Sequence, residues 1–453
     1  MNLEPFFKAK SIAVIGASHE SGKVGNVIIR NLVDGLYGGK IFPINPNASE
    51  ILGLKTYPSV NAVKEKIELA VVAVPTELVF KVLGECRKKC IKNVIIVTAG
   101  FREVGNAEGE EKLKKLLKKY KIRAIGPNCL GTFNSHTKLD TMFLPRYRLI
   151  RPGKGGISFI CQSGAVGSAI LDLATSRGYG FAKFASYGNA ADIDESDLLE
   201  YMGSDRDTKV ICMYIEGVKN GRKFLETARN VTKKKPVIVI KGGVTAQGSH
   251  AIVSHTGSLA GSAEIYFGAF RQAGIIRADS LYDMFNYARI LESCVRPKGS
   301  RVQIITNGGG YGVLSTDYVI TNGLKMAEMS QVTRKILRKQ LPKLVNIGNP
   351  LDLVGDATTE RYKTVMEAAL ADGAIDAILL IVLYQTPRIT TDIVDMIVEM
   401  NDRKRKPIVV VSTGGEFTEL LSKNLEANGI PTFEYPEAAV RSIKALAEYY
   451  ITK

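Results

Sequence analysis

Short apolar runs recur along the chain and alternate with helix-length stretches whose apolar positions follow a helical period. The runs are apolar on both faces and bounded by glycine, which is typical of buried parallel strands. They form three series, which begin at SIAVIG (11–16), GISFICQSG (156–164) and VQIITNGGG (302–310). This alternation predicts an α/β doubly wound architecture that is repeated three times.

Two segments of linker-like composition separate the three series. PRYRLIRPGKGG (145–156) contains two prolines and a glycine pair, and SCVRPKGSR (293–301) separates a long helical pattern from a new strand. The chain of 453 residues has room for about three domains of ordinary size. We therefore predict domains over residues 1–148, 149–295 and 296–453.

Each predicted domain contains a strand that enters a glycine-rich turn and then a helix. The turns are GASHESGKVG (16–25), CQSGAVG (161–167) and TNGGGYG (306–312). Such a turn directs free backbone N–H groups at the positive end of a helix dipole, where an anion binds. A tight turn needs glycine even without a ligand, but three such turns favour an anionic ligand.

The charge of the chain is strongly basic, with 61 Lys and Arg residues against 45 Asp and Glu, a net charge of +16. The excess is concentrated in KKLLKKYKIR (114–123), KKKP (233–236) and DRKRKP (402–407), each at the end of a helical pattern. The helix dipole favours cations there, so solvated helix ends explain the runs, with a polyanionic partner as the alternative. Nucleic acid is not expected, because no basic stretch is interleaved with aromatic residues and Trp is absent.

The cellular location is predicted from two further features. The six cysteines follow no disulfide or zinc spacing, which is typical of free thiols in a reducing compartment. The N-terminus has no signal-peptide core and no apolar run reaches transmembrane length. We expect a soluble cytoplasmic protein with no membrane partner.

The first turn does not fit NAD. It is longer than the GxGxxG fingerprint, and the second strand ends at Ile44-Asn45-Pro46 without an acidic residue for a ribose hydroxyl. An NAD-dependent dehydrogenase is therefore disfavoured.

One of the four histidines has a context suited to chemistry. His255 follows a stretch of small and polar residues that we predict to be a loop, and Thr256-Gly257-Ser258 come after it. Neutral imidazole is a nucleophile near pH 7 and can carry a phosphoryl group. Glu216 ends the predicted strand VICMYIEG (210–217) and is a candidate to hold the other ring nitrogen. His250, on the same segment, is the less favoured carrier.

Several motifs together resemble one known family. VIGAS with GKVG, NP (45–46), VAVP (72–75), VTAG (97–100) and GPNCLG (126–131) are similar to the CoA-binding domain of the succinyl-CoA synthetase superfamily. With SHTGSLAG (254–261), the whole chain resembles the alpha subunit of its ADP-forming acyl-CoA synthetase branch, of the archaeal acetyl-CoA synthetase type. The resemblance implies a CoA-binding Rossmann-like domain followed by two flavodoxin-like domains.

The resemblance also implies residue roles. His255 would be the phosphorylated histidine and Glu216 the residue that stabilises it. Two helix starts would hold phosphate, namely Ser163, Gly164 and Ala165 in the second domain and Gly308, Gly309 and Gly310 in the third. The CoA site would be lined by Gly16, Ser18, Lys23, Val24, Gly25, Asn45, Val74, Pro75, Thr98, Ala99, Gly100 and Asn128. Lys23 would face the CoA phosphates, although an ordinary exposed lysine is the alternative.

The activity implied is that of an acid–thiol ligase, which converts acyl-CoA, ADP and phosphate to acid, CoA and ATP. The chain shows no Walker A motif and no recognisable ATP-grasp segment. The resemblance therefore implies an ATP-grasp beta subunit, in an alpha2beta2 assembly, that binds ADP/ATP with Mg²⁺. The alternative is a CoA- or NAD-binding regulatory protein without phosphoryl transfer. In the third domain Asp352 and Asp356 could bind a metal, but loop capping is the favoured explanation, and we predict no metal site.

Overall fold

The computed structural model describes residues 2–256 and 262–451; for residues 251 and 253–256 it describes the backbone only. The chain divides into two compact units between Asp279 and Ser280. Both units are layered α/β structures with mainly parallel sheets, so the predicted fold class is confirmed.

The first sheet of the first unit is parallel, in the order β2-β1-β5-β6-β7, with the hairpin β3-β4 beside it. Its strands are apolar and buried on both faces, as parallel strands covered by helices must be. Strand β1 lies between β2 and β5, so the chain reverses its winding there, and the crevice at such a switch point binds ligands. The strands are β1 (Ser11–Ile15), β2 (Lys40–Ile44), β3 (Glu50–Ile51), β4 (Leu54–Lys55), β5 (Leu69–Val72), β6 (Asn93–Ile96) and β7 (Arg123–Ile125). The helices are α1 (Pro5–Lys8), α2 (Val24–Asp34), α3 (Thr76–Lys88) and α4 (Ala107–Tyr120), with 3-10 turns at Val60–Ala62 and Arg102–Val104.

The second sheet of this unit has the order β14-β13-β12-β10-β11-β8-β9. The hairpin β8-β9 joins it antiparallel to β11, while the other pairs are parallel. The strands are β8 (Gly131–Asn134), β9 (Leu139–Asp140), β10 (Lys154–Cys161), β11 (Phe181–Ser186), β12 (Val210–Ile215), β13 (Val237–Lys241) and β14 (Ile276–Arg277). The helices are α5 (Gly164–Ser176), α6 (Glu195–Ser204), α7 (Gly221–Thr232), α8 (Ala246–Thr256) and α9 (Ala263–Ala273).

The hairpin ties the two sheets together. Thr132 Oγ1 donates to the carbonyl of Phe6 at 2.8 Å, and Asn134 Nδ2 donates to that of Phe7 at 3.0 Å. One apolar core runs from Phe6 and Phe7 beside the first sheet to residues of the second, such as Met213. Strands β8 and β9 precede residue 148 in the chain and pair with the second sheet. The predicted boundary after residue 148 stays a prediction.

Helix α8 replaces the loop that we predicted before His255. Thr245 Oγ1 accepts the N–H of Gly248 at 3.0 Å, a bond typical of a helix N-cap, and Ile252 is buried. The loop prediction was therefore wrong for residues 246–256. Small and polar residues carry only a weak helix propensity, and tertiary context commonly overrides such a weak preference.

The second unit contains the third sheet, with the parallel order β16-β15-β18-β19-β20 and β17 paired to β15. The strands are β15 (Arg301–Thr306), β16 (Lys325–Met326), β17 (Leu351–Asp352), β18 (Ala377–Ile381), β19 (Ile408–Val411) and β20 (Thr432–Phe433). The helices are α10 (Leu281–Ser293), α11 (Gly309–Thr321), α12 (Gln331–Gln340), α13 (Thr359–Ala371), α14 (Asp392–Asp402), α15 (Glu416–Ala427) and α16 (Pro436–Ile451). Helix α10 packs against α16 and belongs to this unit, which begins at Ser280. The predicted boundary after residue 295 stays a prediction. Among the described helices, none has both the length and the apolar character that a membrane span requires.

Candidate functional site

The residues predicted to bind CoA follow the ends of the first-sheet strands. Gly16 follows β1, Asn45 follows β2, Val74 and Pro75 follow β5, Thr98 to Gly100 follow β6, and Asn128 follows β7. Because carboxyl ends of parallel strands meet at one edge of a sheet, these residues share the edge at the switch point. Hydrogen bonds link neighbouring turns, since Thr98 Oγ1 donates to the carbonyl of Val74 at 2.8 Å and Asn128 N donates to that of Thr98 at 2.9 Å.

Two glycines let the first turn cross helix α2. Gly16 has a φ of +90°, and a β-carbon there would lie 2.2 Å from the carbonyl oxygen of Ala73. A β-carbon on Gly25 would lie 2.0 Å from the carbonyl oxygen of Gly16. Only glycine fits at both positions, so the fold itself requires them.

The cation in this turn already has an acidic neighbour. Lys23 Nζ lies 2.8 Å from a carboxylate oxygen of Glu20, and both side chains are exposed. The hydrogen bond and the charge of Lys23 lower the pKa of Glu20. At the neighbouring strand, Asn45 Nδ2 donates to the carbonyl of Ala17 at 2.7 Å, where a dinucleotide fold would carry an acid.

A cleft of about 620 Å³ lies within the first unit and joins the edges of its two sheets. It contains Ala99 and Asn128 from the predicted CoA set, together with Ser163, Gly164, Ala165 and Glu216 from the predicted phosphoryl site. The other ten predicted CoA residues are described by the structure and lie outside the lining of this cleft. The lining residues are Val97, Ala99, Arg102, Lys114, Asn128, Cys129, Leu130, Phe143, Gln162, Ser163, Gly164, Ala165, Tyr187, Gly188, Asn189, Ala190, Glu195, Glu216, Gly217, Val218 and Lys219.

Helix α5 begins at this cleft. Ser163 is its N-cap, and its hydroxyl accepts the N–H of Val166 at 3.3 Å. The first N–H groups of a helix have no partner inside the helix, so Gly164 and Ala165 present donors at the positive end of the dipole. This is the geometry of an anion site.

Glu216 lines the same cleft, and hydrogen bonds from the backbone of residues 216 and 217 hold it in place. Gln162 Oε1 accepts the N–H of Glu216 at 2.7 Å and that of Gly217 at 3.2 Å. The Glu216 carboxylate accepts a hydrogen bond from the hydroxyl of Tyr214 at 3.5 Å, and its side chain is buried. Burial lowers the pKa of the Lys241 ammonium, and the charge of Glu216 opposes that shift. A buried carboxylate of this kind can orient an imidazole.

The predicted phosphoryl carrier lies in helix α8. The backbone of His255 belongs to its last turn, and its side chain lies outside the described part of the chain. Helix α8 follows β13, which pairs with β12, the strand that Glu216 follows. Helix α8 also contacts the 3-10 turn Arg102–Val104. Arg102 lines the cleft.

The third predicted phosphate turn lies in the second unit. Gly308 is the N-cap of helix α11, and its N–H donates to Thr306 Oγ1 at 2.9 Å. Asp352 Oδ1 accepts the N–H of Val354 at 2.9 Å, and Asp356 pairs with Arg361 at 2.7 Å, so both acids stabilise the local loop. Among the described residues, no group of three or more His, Cys, Asp or Glu side chains could hold a metal ion.

Sequence reasoning missed several charged and polar residues of the cleft. Arg102, Lys114 and Lys219 add cations, Glu195 adds an acid, and Gln162 adds an amide. Burial raises the pKa of Glu195 to about 7. Gln162 precedes Ser163 directly, Arg102 lies two residues after Gly100, and Lys219 lies three residues after Glu216, so nearby motifs were a signal for these three. Lys114 and Glu195 have no such neighbouring motif.

Cys129, which lines the cleft, and Cys161, which ends strand β10 beside it, are buried thiols. Burial raises the pKa of Cys129 to about 12 and raises that of Cys161 as well. Neither would be a thiolate nucleophile at neutral pH.

Family models match all three segments of the chain. Residues 10–135 match a CoA binding domain, residues 154–291 a succinyl-CoA ligase like flavodoxin domain, and residues 302–450 a ligase-CoA domain. The fold and the site therefore define the chain as a CoA-ligase-type protein.

Characterised relatives define the family further. The acetate–CoA ligase [ADP-forming] II subunit alpha of Pyrococcus furiosus is 40% identical over 98% of this chain and 97% of its own length. The acetate–CoA ligase [ADP-forming] of Methanocaldococcus jannaschii is 44% identical over 98% of this chain, which spans only 63% of that longer protein. The solved structure of the dinucleotide-forming acetyl-coenzyme A synthetase 1 from Ca. Korarchaeum cryptofilum, in complex with phosphate and ADP, is 37% identical with a TM-score of 0.94 and covers 99% of this chain and 97% of its own. The chain belongs to the family of ADP-forming acetate–CoA ligases and corresponds to their alpha subunits.

Proposed function

We propose that this chain is the CoA-binding, phosphohistidine-carrying alpha subunit of an ADP-forming acyl-CoA synthetase. The observation that carries the proposal is the cleft in which the carboxyl edge of the first sheet, at Ala99 and Asn128, meets the start of helix α5 and Glu216. A thioester that enters along the first edge would meet a phosphate bound at the second. In this proposal residues 1–148 bind CoA, residues 149–295 carry the phosphohistidine, and residues 296–453 supply the further phosphate turn.

In the first step, an oxygen of phosphate attacks the thioester carbonyl. The carbon–sulfur bond breaks, and the products are an acyl phosphate and the thiolate of CoA. The N–H groups of Gly164 and Ala165 would hold the phosphate oxygens, because donors fixed in advance need no reorganisation when charge develops.

In the second step, a ring nitrogen of His255 attacks the phosphorus atom. The phosphorus–oxygen bond to the acyl group breaks and the carboxylate leaves. Glu216 would accept a hydrogen bond from the proton-bearing ring nitrogen and so stabilise the positive charge that the imidazole gains. An oxygen of ADP then takes the phosphoryl group, which restores neutral His255 and gives ATP.

The nucleotide belongs to a second subunit in this proposal. The relatives from Pyrococcus furiosus are named as alpha subunits, and the relative from Methanocaldococcus jannaschii extends well beyond the length of this chain. We propose an ATP-grasp beta subunit that binds ADP with Mg²⁺, in an alpha2beta2 assembly. The six free thiols fit a reducing compartment, and we place the complex in the cytoplasm.

The experiment that tests this function labels the histidine. The chain is incubated with acetyl-CoA and radioactive phosphate, or with labelled ATP and the beta subunit. We expect an acid-labile, base-stable label on the wild-type chain and none on His255→Ala. His250→Ala, a change in the same helix, is the matched control and should label normally. Equal labelling of His255→Ala and wild type would overturn the assignment.

A further inference from the structure

Asn189 lies at the centre of a hydrogen-bond network on the wall of the cleft. Its side-chain nitrogen donates to Glu103 Oε2 at 2.5 Å and to Glu110 Oε2 at 3.0 Å. Its side-chain oxygen accepts the amide of Asn128 at 3.3 Å. An amide nitrogen has two hydrogens, so both are used on carboxylates and the amide orientation is fixed.

The two carboxylates approach each other closely because of this amide. Each lies within hydrogen-bond distance of the same nitrogen atom, and Glu110 is fully buried. Arg102 Nε lies 3.3 Å and Lys114 Nζ 3.4 Å from Glu110 Oε1, and these cations balance part of the charge. Two carboxylates that share one donor nitrogen would repel each other if that donor were absent.

The network reaches the loops after β6 and β7, which bring the predicted CoA residues Ala99 and Asn128 to the cleft. The other oxygen of Glu103 accepts the N–H of Gly100 at 2.6 Å and that of Phe101 at 3.2 Å. Asn189 also donates its backbone N–H to the carbonyl of Pro127 at 3.0 Å, beside Asn128. The loops after β6 and β7 are therefore both attached to one residue of the loop that follows β11.

The loop that carries Asn189 is itself held in place. Lys219 Nζ donates to the carbonyl of Asn189 at 2.5 Å and also to that of Ala190. A β-carbon on the preceding Gly188 would lie 2.1 Å from the carbonyl oxygen of Asn128, so the two loops are in direct backbone contact. Lys219, Gly188 and Asn128 all line the cleft together with Asn189.

We propose that Asn189 is a positioning residue that holds the CoA-side loops, residues 98–101 and 126–128, in a fixed arrangement at the wall of the cleft. It would act through Asn128 and Glu103 rather than on the thioester itself. The inference rests on the proposed function, because it assumes that CoA occupies the edge formed by these loops.

The test first replaces the amide of Asn189, the hydrogen-bond donor, by a carboxylate. A second substitution then supplies an amide donor at position 103. Asn189→Asp places a third carboxylate against Glu103 and Glu110. In the double variant with Glu103→Gln, the new amide can keep its oxygen towards Gly100 and direct its nitrogen to the carboxylate introduced at position 189. Asn230→Asp, at an exposed position of helix α7, is the matched control.

Calorimetric titration of each full-length chain with CoA gives the primary measurement. We expect Asn189→Asp to weaken CoA binding about tenfold, Glu103→Gln to recover at least part of that loss in the double variant, and Asn230→Asp to bind as wild type does. With the beta subunit present, the KM for acetyl-CoA should rise more than kcat falls. A merely structural role would lower thermal stability and leave the CoA affinity of the folded chain unchanged.

Each other outcome decides against a specific claim. Wild-type affinity in a folded Asn189→Asp chain, or no recovery in the double variant, would overturn the role of Asn189 and leave the proposed function intact. A wild-type chain that does not bind CoA would overturn both. If Asn189→Asp does not fold, Asn189→Ala removes the donor without adding charge, and wild-type CoA affinity in that variant would overturn the role of Asn189.

Discussion

The glycine-rich turns of the first and second sheets share a sequence signature but differ in what requires the glycine. In the first turn, a β-carbon on Gly16 or Gly25 would lie within 2.2 Å and 2.0 Å of backbone carbonyl oxygens. In the second turn, the nearest atom to a β-carbon on Gly164 would be the β-carbon of Leu130, at an ordinary 3.8 Å. Gly310, in the third turn, has no atom within 4 Å of that position.

The difference separates glycines that the fold needs from glycines that a ligand would need. Packing alone explains Gly16 and Gly25. These two glycines are therefore weak evidence for a CoA site, although the backbone crossing that they allow shapes the carboxyl edge of the first sheet. Packing does not explain Gly164, although a residue in a helix gains stability from alanine. We propose that an anion approaches the helix start closely at this position, where a methyl group would obstruct it.

The largest effect that tests this comparison is expected for Gly25→Ala. The added methyl group would meet the carbonyl oxygen of Gly16, so we expect a loss of about 3 kcal/mol in the free energy of unfolding, with loss of CoA binding. Denaturant unfolding measures it. Gly84→Ala, in helix α3 with no atom within 4 Å of the new β-carbon, is the control and should keep or gain stability. Equal midpoints for Gly25→Ala and wild type would show that the crossing tolerates a side chain.

A smaller effect is expected for Gly164→Ala, which should slow the reaction without lowering stability. Stability should stay constant or rise by about 0.5 kcal/mol, because the position has room and alanine favours the helix. The rate of histidine labelling from acetyl-CoA and labelled phosphate should fall about tenfold, since the methyl group would displace the phosphate from its donors. Unchanged labelling, with Gly84→Ala as the reference, would mean that Gly164 does not serve an anion.

The smallest effect is expected at the exposed cation of the first turn. Lys23→Met should weaken CoA binding about threefold at low salt, and less at high salt, because an exposed charge is well screened. Glu20→Gln should slightly strengthen binding, since it removes the carboxylate that now holds the ammonium. Calorimetry at two salt concentrations measures both. Identical affinities and salt dependence in the three proteins would favour an ordinary surface lysine.

The buried strands and the glycine-rich turns were predictable because their patterns involve only residues that are close in sequence. Strands such as Val237–Lys241 follow directly from an apolar run, and helix α5 from a small-residue turn after a strand. The helix over residues 246–256 was not predictable, since its small and polar residues carry only weak local preferences, which tertiary context can override. The hairpin β8-β9 was missed as part of the second sheet, because its pairing with β11 involves residues far away in the chain.

The candidate site was only partly predictable for the same reason. Motifs indicated Ser163, Glu216 and Asn128, and the structure brings them to one cleft. Lys114 and Glu195 have no neighbouring motif, and their place at the cleft depends on where helices α4 and α6 lie in the fold.

The sequence by itself determined the alternation of buried strands and helices, the positions of the glycine-rich turns and the family, because periodicity and motifs are local properties. Only the tertiary structure decided which glycines are sterically required and which residues share the cleft. Asn189 bonds to Glu103 across 86 residues and to Glu110 across 79. Contacts over such distances depend on how the two sheets are joined, and no local pattern of polar and apolar residues specifies them.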